Sequence, residues 1–239
     1  MWYRFNKLIK RVFDFTVCLV ALVVLSPLWV VIAVAIKCDS KGPVLFAQDR
    51  RTKDGRIFKM YKFRSMVVNA EKMGAGLFNY ENDPRVTKTG RFLRNTSLDE
   101  LPQLWNVVKG DLSLVGPRPC VSYELGDFDT LNKKYKKRFE VRGGITGLAQ
   151  VEGRNENSWD EKVTYDNIYI DEFKKQGVWL DIKILVGTVA KVFKKANIYE
   201  EKADNSMDDA EAAKSAEAEI IRIAHLPDEE EIENIEAIV

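Results

Sequence analysis

The sequence predicts an α+β fold, mainly helical, held on one face of a membrane: a monotopic protein with an N-terminal re-entrant helix, a small β-hairpin and interfacial amphipathic helices. Three observations carry that expectation. Phe15 to Ile36 is an uncharged run of 22 residues with basic residues on both sides. Two short apolar-rich stretches, Val44 to Gln48 and Ile57 to Phe63, flank an Asp54-Gly55 turn signal. Apolar residues recur at helical spacing in two later segments, 98–108 and 178–195.

Residues 2–14 read as a basic amphipathic lead-in. As one straight helix the uncharged run would be about 33 Å long, near the roughly 30 Å of a bilayer's hydrocarbon core. Length alone favours a span. However, Arg4, Lys7, Lys10 and Arg11 precede the run, and Lys37, Lys41, Arg50 and Arg51 follow it. Positive charge marks the cytoplasmic side, so a spanning helix would leave one cluster on the wrong face. Ser26-Pro27 stands mid-run, where proline lacks an N–H and its ring crowds the Val23 carbonyl. Re-entry is therefore favoured, and a kinked span is the alternative. A cleavable leader is disfavoured, because the run exceeds the usual ~7–15 residues and no small-x-small site closes it.

In the hairpin, alternation puts Lys62 and Arg64 on one side if the strand extends that far. A solvated strand face and a phosphate-binding face are both open readings. Residues 69–96 are polar and partly helical, with a loop around Gly74-Ala-Gly76. The next segment holds the strongest chemical signal: Asp99 and Glu100 stand side by side in Ser97-Leu-Asp-Glu-Leu-Pro-Gln-Leu-Trp105. Leu98, Leu101, Leu104, Trp105 and Val108 give that segment an apolar face, so the carboxylates fall in or just before a first helical turn. Ser97 and Glu100 also spell a capping box, which is the ordinary explanation of such a pair.

Composition weighs against the ordinary explanation. The only histidine is His225, so histidine bases, Ser-His-Asp triads and histidine metal sites are excluded from the body. Arg85, Lys88, Arg91, Arg94, Lys109 and Arg118 surround the pair in sequence. Paired carboxylates amid cations suit metal-assisted phosphoryl transfer, with one group attacking phosphorus and the other holding a divalent ion. In Gly116-Pro-Arg-Pro119, each proline fixes its own torsion and restricts its predecessor, leaving Arg118 few directions. Taken alone, that motif reads more readily as a structural turn than as a phosphate clamp. Arg142 to Gly147 is a flexible glycine-rich loop, with Gln150 and Arg154 just beyond it.

Residues 178–195 form an amphipathic helix that either lies at a membrane interface or packs on the body. Beyond Tyr199 the composition changes. Residues 200–239 carry 14 acidic and 3 basic residues, leaving the first 199 with 34 basic and 22 acidic. The chain thus divides into a membrane-inserted part (1–40), a basic catalytic domain (41–199) and an acidic tail (200–239) that is partly helical or disordered. Solvation is the default reading for that tail, and its isoleucines leave docking to a protein partner as the less favoured alternative. A basic body suits anionic lipid and phosphate-bearing ligands. No nucleic-acid-binding motif accompanies the charge. Cys18, Cys38 and Cys120 are odd in number and scattered, and they suggest neither a disulfide framework nor a metal cluster.

Five ordered blocks resemble the bacterial sugar transferases, the monotopic phosphoglycosyl transferases. They are Lys10-Arg-Val-Phe-Asp14 before the apolar run, Tyr61-Lys-Phe-Arg-Ser-Met66, Ser97 to Leu101, Lys109 to Pro119, and Ile145 to Val151 with Gly153-Arg-Asn155. The likeness covers roughly residues 1–198. It implies transfer of a sugar 1-phosphate from a UDP-sugar to polyprenol phosphate on the cytosolic face of a bacterial membrane. Asp99 would be the nucleophile and Glu100 the Mg²⁺ ligand. Lys62, Arg64, Arg118 and, least directly, Arg94 would meet phosphate, while Gln150, Arg154 and Asp166 match further binding positions. Similar sequences usually carry proline where Gly143 stands, and often tryptophan at Leu148 and asparagine at Glu152. A homodimer is compatible with this reading. The rival class is a catalytically silent membrane adaptor, which would need neither the Asp-Glu pair nor the arginine turn.

Overall fold

A computed structural model of the chain describes residues 2–73, 83–152, 158–193 and 218–226. The Gly74-Ala-Gly76 loop and Arg154 lie outside them. The architecture is α+β and mainly helical, with two small two-stranded sheets.

The apolar run opens as two helices. Helix α1 (Trp2–Val24) and α2 (Ser26–Asp39) meet at a 62° bend. Proline explains the break, and serine explains why it is tolerated: the Ser26 hydroxyl donates to the Val23 carbonyl at 2.7 Å. A local hydroxyl thus satisfies an acceptor close to the bend without any partner helix. Neither helix alone is long and apolar enough to cross a membrane. Around the bend Val20, Val23, Val24, Val30 and Val31 are exposed, whereas Ile32 and Ile36 pack with Phe63 and Leu93. The basic half of α1 is fastened to the body. Lys10 donates to Asp181 at 2.5 Å and to the Val115 carbonyl at 2.9 Å, and Asp14 accepts from the Ser113 hydroxyl.

Strands β1 (Leu45–Arg51) and β2 (Ile57–Phe63) pair antiparallel, with Phe46 opposite Lys62. The expected turn forms, since Asp54 and Gly55 both adopt left-handed backbone. Helix α3 (Lys88–Asn95) has a Thr87 N-cap, whose side chain accepts from Gly90 N. A single 3₁₀ turn, Leu98–Glu100, precedes α4 (Gln103–Lys109). Leu98, Leu101, Leu104 and Val108 pack against the core as the spacing predicts, but α4 is rotated enough to leave Trp105 half exposed and to bury Gln103, Asn106 and Val107. Asn106 explains the rotation: its amide accepts from Tyr61 N and donates to the Lys59 carbonyl, stitching α4 to the open edge of β2.

Strand β3 (Ser113–Val115) pairs in parallel with β4 (Gly144–Thr146). The segment expected to be a flexible glycine-rich loop is therefore part of a sheet. Gly143 donates its N–H to the Thr52 hydroxyl, and a Cβ there would meet Pro119 Cγ at 2.5 Å. Proline at 143 would lose that bond and collide, so the departure at this position is built into the packing. Helices α5 (Lys133–Lys137), α6 (Leu148–Glu152), α7 (Trp159–Gln176) and α8 (Val178–Phe193) complete the body. Of the two alternatives for α8, packing on the body is observed, and an exposed apolar face remains beside it. Leu180 and Ile184 enter the main core, and Trp179, Val186 and Val189 remain exposed. Part of the acidic tail is not solvated: helix α9 (218–224) packs Ala224, Ile220 and Ile223 against Leu125, Leu131 and Tyr135.

Candidate active site

A cavity of about 520 Å³ lies where the hairpin, the turn ahead of α4 and the Gly116-Pro119 segment meet. Its wall includes Lys62, Arg64, Arg94, Asp99, Glu100 and Arg118, so one site gathers six of the residues singled out in the sequence. Chain geometry brings the carboxylates there. Ser97 takes left-handed backbone, with φ of 56°, and throws the 3₁₀ turn out of line with α3. Its hydroxyl makes no capping bond, so the expected capping box does not form.

Glu100 is bound to two cations. Lys62 Nζ donates to its Oε1 at 2.8 Å, and Arg118 Nη2 donates to the same oxygen. Burial pushes the Glu100 carboxyl up, but Arg118 and Lys62 outweigh burial and hold it well below the usual range. Asp99 behaves oppositely. Burial raises its pKa, Lys62 offsets part of the rise, and the neighbouring Glu100 charge adds to it. Adjacent carboxylates thus have environments that drive their proton affinities apart. Lys62 and Arg118 place their hydrogen bonds on Glu100, an arrangement compatible with Asp99 acting as a nucleophile.

The remaining positions divide. Arg94 Nε donates to Ser65 Oγ at 2.9 Å on the cavity wall. Arg64 also borders the cavity, yet its guanidinium donates to the carbonyls of Ser40 and Lys41, beyond the end of α2. It thereby clamps the chain just beyond α2 while still bordering the cavity. Gln150 sits on α6, packed against α7 and α8, and does not line the cavity. Asp166 is neither in the cavity nor at the surface; it is buried against Arg138 at 2.9 Å.

Arg50 escaped sequence reasoning, which used it only as a flanking charge. It lines the cavity, donating to Gln48 and to the Pro119 carbonyl, and its pKa is lowered by burial and by Arg118 nearby. Its position in β1, two residues from Gln48 on the same strand face, was the available signal.

The arrangement, two carboxylates of opposed character inside a ring of cations, meets an independent result. The sequence profile of the family described as bacterial sugar transferase matches residues 5–195. The chain belongs to that family. It is 44% identical over 201 residues to the UDP-glucose:undecaprenyl-phosphate glucose-1-phosphate transferase of Klebsiella pneumoniae, covering 81% of this chain and 42% of that protein. It is 39% identical over 210 residues to the undecaprenyl-phosphate galactose phosphotransferase of Salmonella typhimurium, covering 82% and 43%. A third relative, of Aeromonas hydrophila, is named UDP-N-acetylgalactosamine-undecaprenyl-phosphate N-acetylgalactosaminephosphotransferase; identity is 42% over 184 residues, covering 76% and 43%. The chain spans about two fifths of the length of these relatives. Three sugars appear in names at similar identity, so family membership does not select a donor.

The electrostatics give a testable pH dependence. In the nucleophile role expected from the sequence Asp99 would have to be ionised, so activity should fall on the acid side as its raised pKa is passed. Lys62 is the largest influence lowering that pKa. Lys62→Met should therefore move the acid limb of kcat/KM to higher pH, by about one unit or more. An unmoved limb in an active variant would separate the limb from Asp99.

Proposed function

We propose that the protein is a phosphoglycosyl transferase moving a sugar 1-phosphate from a UDP-sugar to polyprenol phosphate. The observation that carries this reading is the pairing, in one cation-lined cavity, of buried Asp99 with a Glu100 held ionised by Lys62 and Arg118. The substrate classes are supported by the names of relatives at 39–45% identity. An Asp99 oxygen attacks the phosphorus next to the sugar, forming an aspartyl phosphosugar while the P–O bond to the nucleoside monophosphate breaks. A polyprenol phosphate oxygen then attacks the same phosphorus, the aspartyl P–O bond breaks, and Asp99 is regenerated as a carboxylate. Arg118 and Lys62 stabilise phosphate oxygens in both displacements, and Arg94 faces the incoming lipid phosphate.

Mg²⁺ fits the donor set. Among the described residues no group of three or more His, Cys, Asp or Glu side chains is placed to hold a metal ion. Mg²⁺ asks for less, commonly one or two carboxylates with substrate phosphates and water. Glu100, ionised and at the cavity wall, would hold it, and the ion would neutralise developing phosphate charge. Chelation should abolish turnover, and Glu100→Gln should raise the Mg²⁺ needed for half-maximal rate. Chelator-insensitive turnover would remove the metal from the scheme.

The 62° bend and the exposed apolar residues around it support a re-entrant membrane segment with both ends on one face. With Cys18, Cys38 and Cys120 replaced, single cysteines near positions 5 and 45 should both react with an impermeant reagent from the cytosolic side. Opposite-side labelling would establish a span. Release of uridine monophosphate from a panel of UDP-sugars, dependent on polyprenol phosphate, tests the activity itself; no release with any donor would favour the adaptor.

A further inference from the structure

We infer that Asp166, acting through Arg138, positions Arg118 in the cavity wall and is a positioning residue, not a substrate contact. For catalysis the inference rests on the function proposed above, but its structural content does not.

The Pro117-Arg118-Pro119 backbone is held from outside at three consecutive carbonyls. Pro117 O accepts from Gly144 N at 2.9 Å, and Pro119 O accepts from Arg50 Nη1 at 3.0 Å. Between them, Arg118 O accepts from Arg138 Nη2 at 2.8 Å. The first restraint belongs to the β3–β4 sheet and the second to a residue of the cavity itself. The middle restraint depends on a guanidinium that is almost wholly buried, with 3% of its side chain exposed.

A buried guanidinium needs an anion, and Asp166 of α7 supplies it. Its Oδ2 lies 2.9 Å from Arg138 Nη2, and its side chain is equally buried. Arg138 also lies over the Trp159 ring, 4.9 Å from the centroid. Its Nε and Nη1 have no hydrogen-bond partner among the described residues. All its directed bonding is therefore at Nη2, shared between the Asp166 carboxylate and the Arg118 carbonyl. Neutralising Asp166 leaves an uncompensated buried cation, which would be drawn towards water and away from the carbonyl. Arg118 would keep its charge but lose the fixed origin from which its fork reaches Glu100.

A stability role alone is a poor explanation of the pair. Buried ion pairs can often be replaced by apolar residues without loss of stability. This pair's one outward bond ends on the residue that contacts Glu100.

Amide hydrogen exchange at Gly116 and Gly144, whose N–H groups tie the turn to β4 through the Thr146 and Pro117 carbonyls, tests the structural content whether or not the protein transfers sugar phosphate. Asp166→Asn should speed exchange of these two amides about tenfold or more while leaving α1 and α4 unchanged. The paired replacement Asp166→Leu with Arg138→Met removes both charges and keeps volume, so it remains folded if the single variant does not, and it should show the same local acceleration. Unchanged protection of the Gly116 and Gly144 amides in a folded variant would overturn the inference.

Kinetics supply the second arm. Asp166→Asn should lower kcat/KM markedly in the Arg118 protein but by less than about twofold in an Arg118→Lys background, because coupled residues are not additive. Equal losses in both backgrounds would overturn positioning. Absence of transfer by the unmodified protein would reject the enzymatic reading alone, with the exchange result still deciding the structural one.

Discussion

Asp99→Asn is expected to abolish transfer, lowering turnover by at least about 10³-fold, because an amide cannot form the acyl phosphate through which both displacements pass. The protein should remain folded. Asp99 is buried and its pKa is raised chiefly by that burial, so a neutral isostere removes an unfavourable buried charge rather than a stabilising one. The melting temperature should therefore stay level or rise. A capping role predicts something else: asparagine caps as well as aspartate, so a mere cap would leave activity untouched. Intact-protein mass spectrometry after incubation with a turned-over UDP-sugar should show a sugar-phosphate adduct on the unmodified chain and none on the variant. Near-normal turnover by Asp99→Asn would end the covalent scheme.

What the sequence revealed follows from how local each signal is. The hairpin turn at Asp54-Gly55 and the break at Ser26-Pro27 depend on residues a few positions apart, and both were legible. Membership of the site was legible through the family resemblance, since side-chain type and spacing alone left Lys62, Asp99, Glu100 and Arg118 with ordinary structural readings. Partner choice was not legible. Arg64 and Lys62 are two residues apart at the end of β2, yet one donates to carbonyls past the end of α2 and the other to Glu100. Only the path of the chain separates those fates. The rotation of α4 was hidden for the same reason: burying Asn106 rather than Trp105 is sensible only once the open edge of β2 lies beside it. The parallel β3–β4 pair joins residues about thirty apart, and three-residue strands carry too little periodicity to be read. Arg138 gave no sign of its role either. It ends a run of basic residues, Lys133-Lys-Tyr-Lys-Lys-Arg138, whose ordinary reading is a solvated surface.

Arg118→Lys is expected to lower kcat/KM by about 10- to 100-fold, since the loss of a charge-assisted contact is worth roughly 1.5–3 kcal/mol. Lysine keeps the charge, so a diffuse field would predict almost no effect. Geometry decides between these. The Arg118 fork donates through Nη2 to Glu100 and through Nη1 to the Ile145 carbonyl at 3.2 Å, holding a plane between the carboxylate and β4. A single ammonium cannot span both. Lys62 would still ionise Glu100, so the pH dependence assigned to Asp99 should change little while the rate falls. How the loss is divided then identifies what the fork does. Equal falls in kcat and kcat/KM mean that it acts on the phosphorus only as charge develops. A raised KM with kcat intact means that it holds donor and transition state alike. Fixation of the turn by Arg138 and Arg50 favours the first outcome, because a preorganised donor need not move when the phosphate charge shifts. A kinetically silent Arg118→Lys would remove this arginine from the site and leave Lys62 as the principal cation beside the carboxylates.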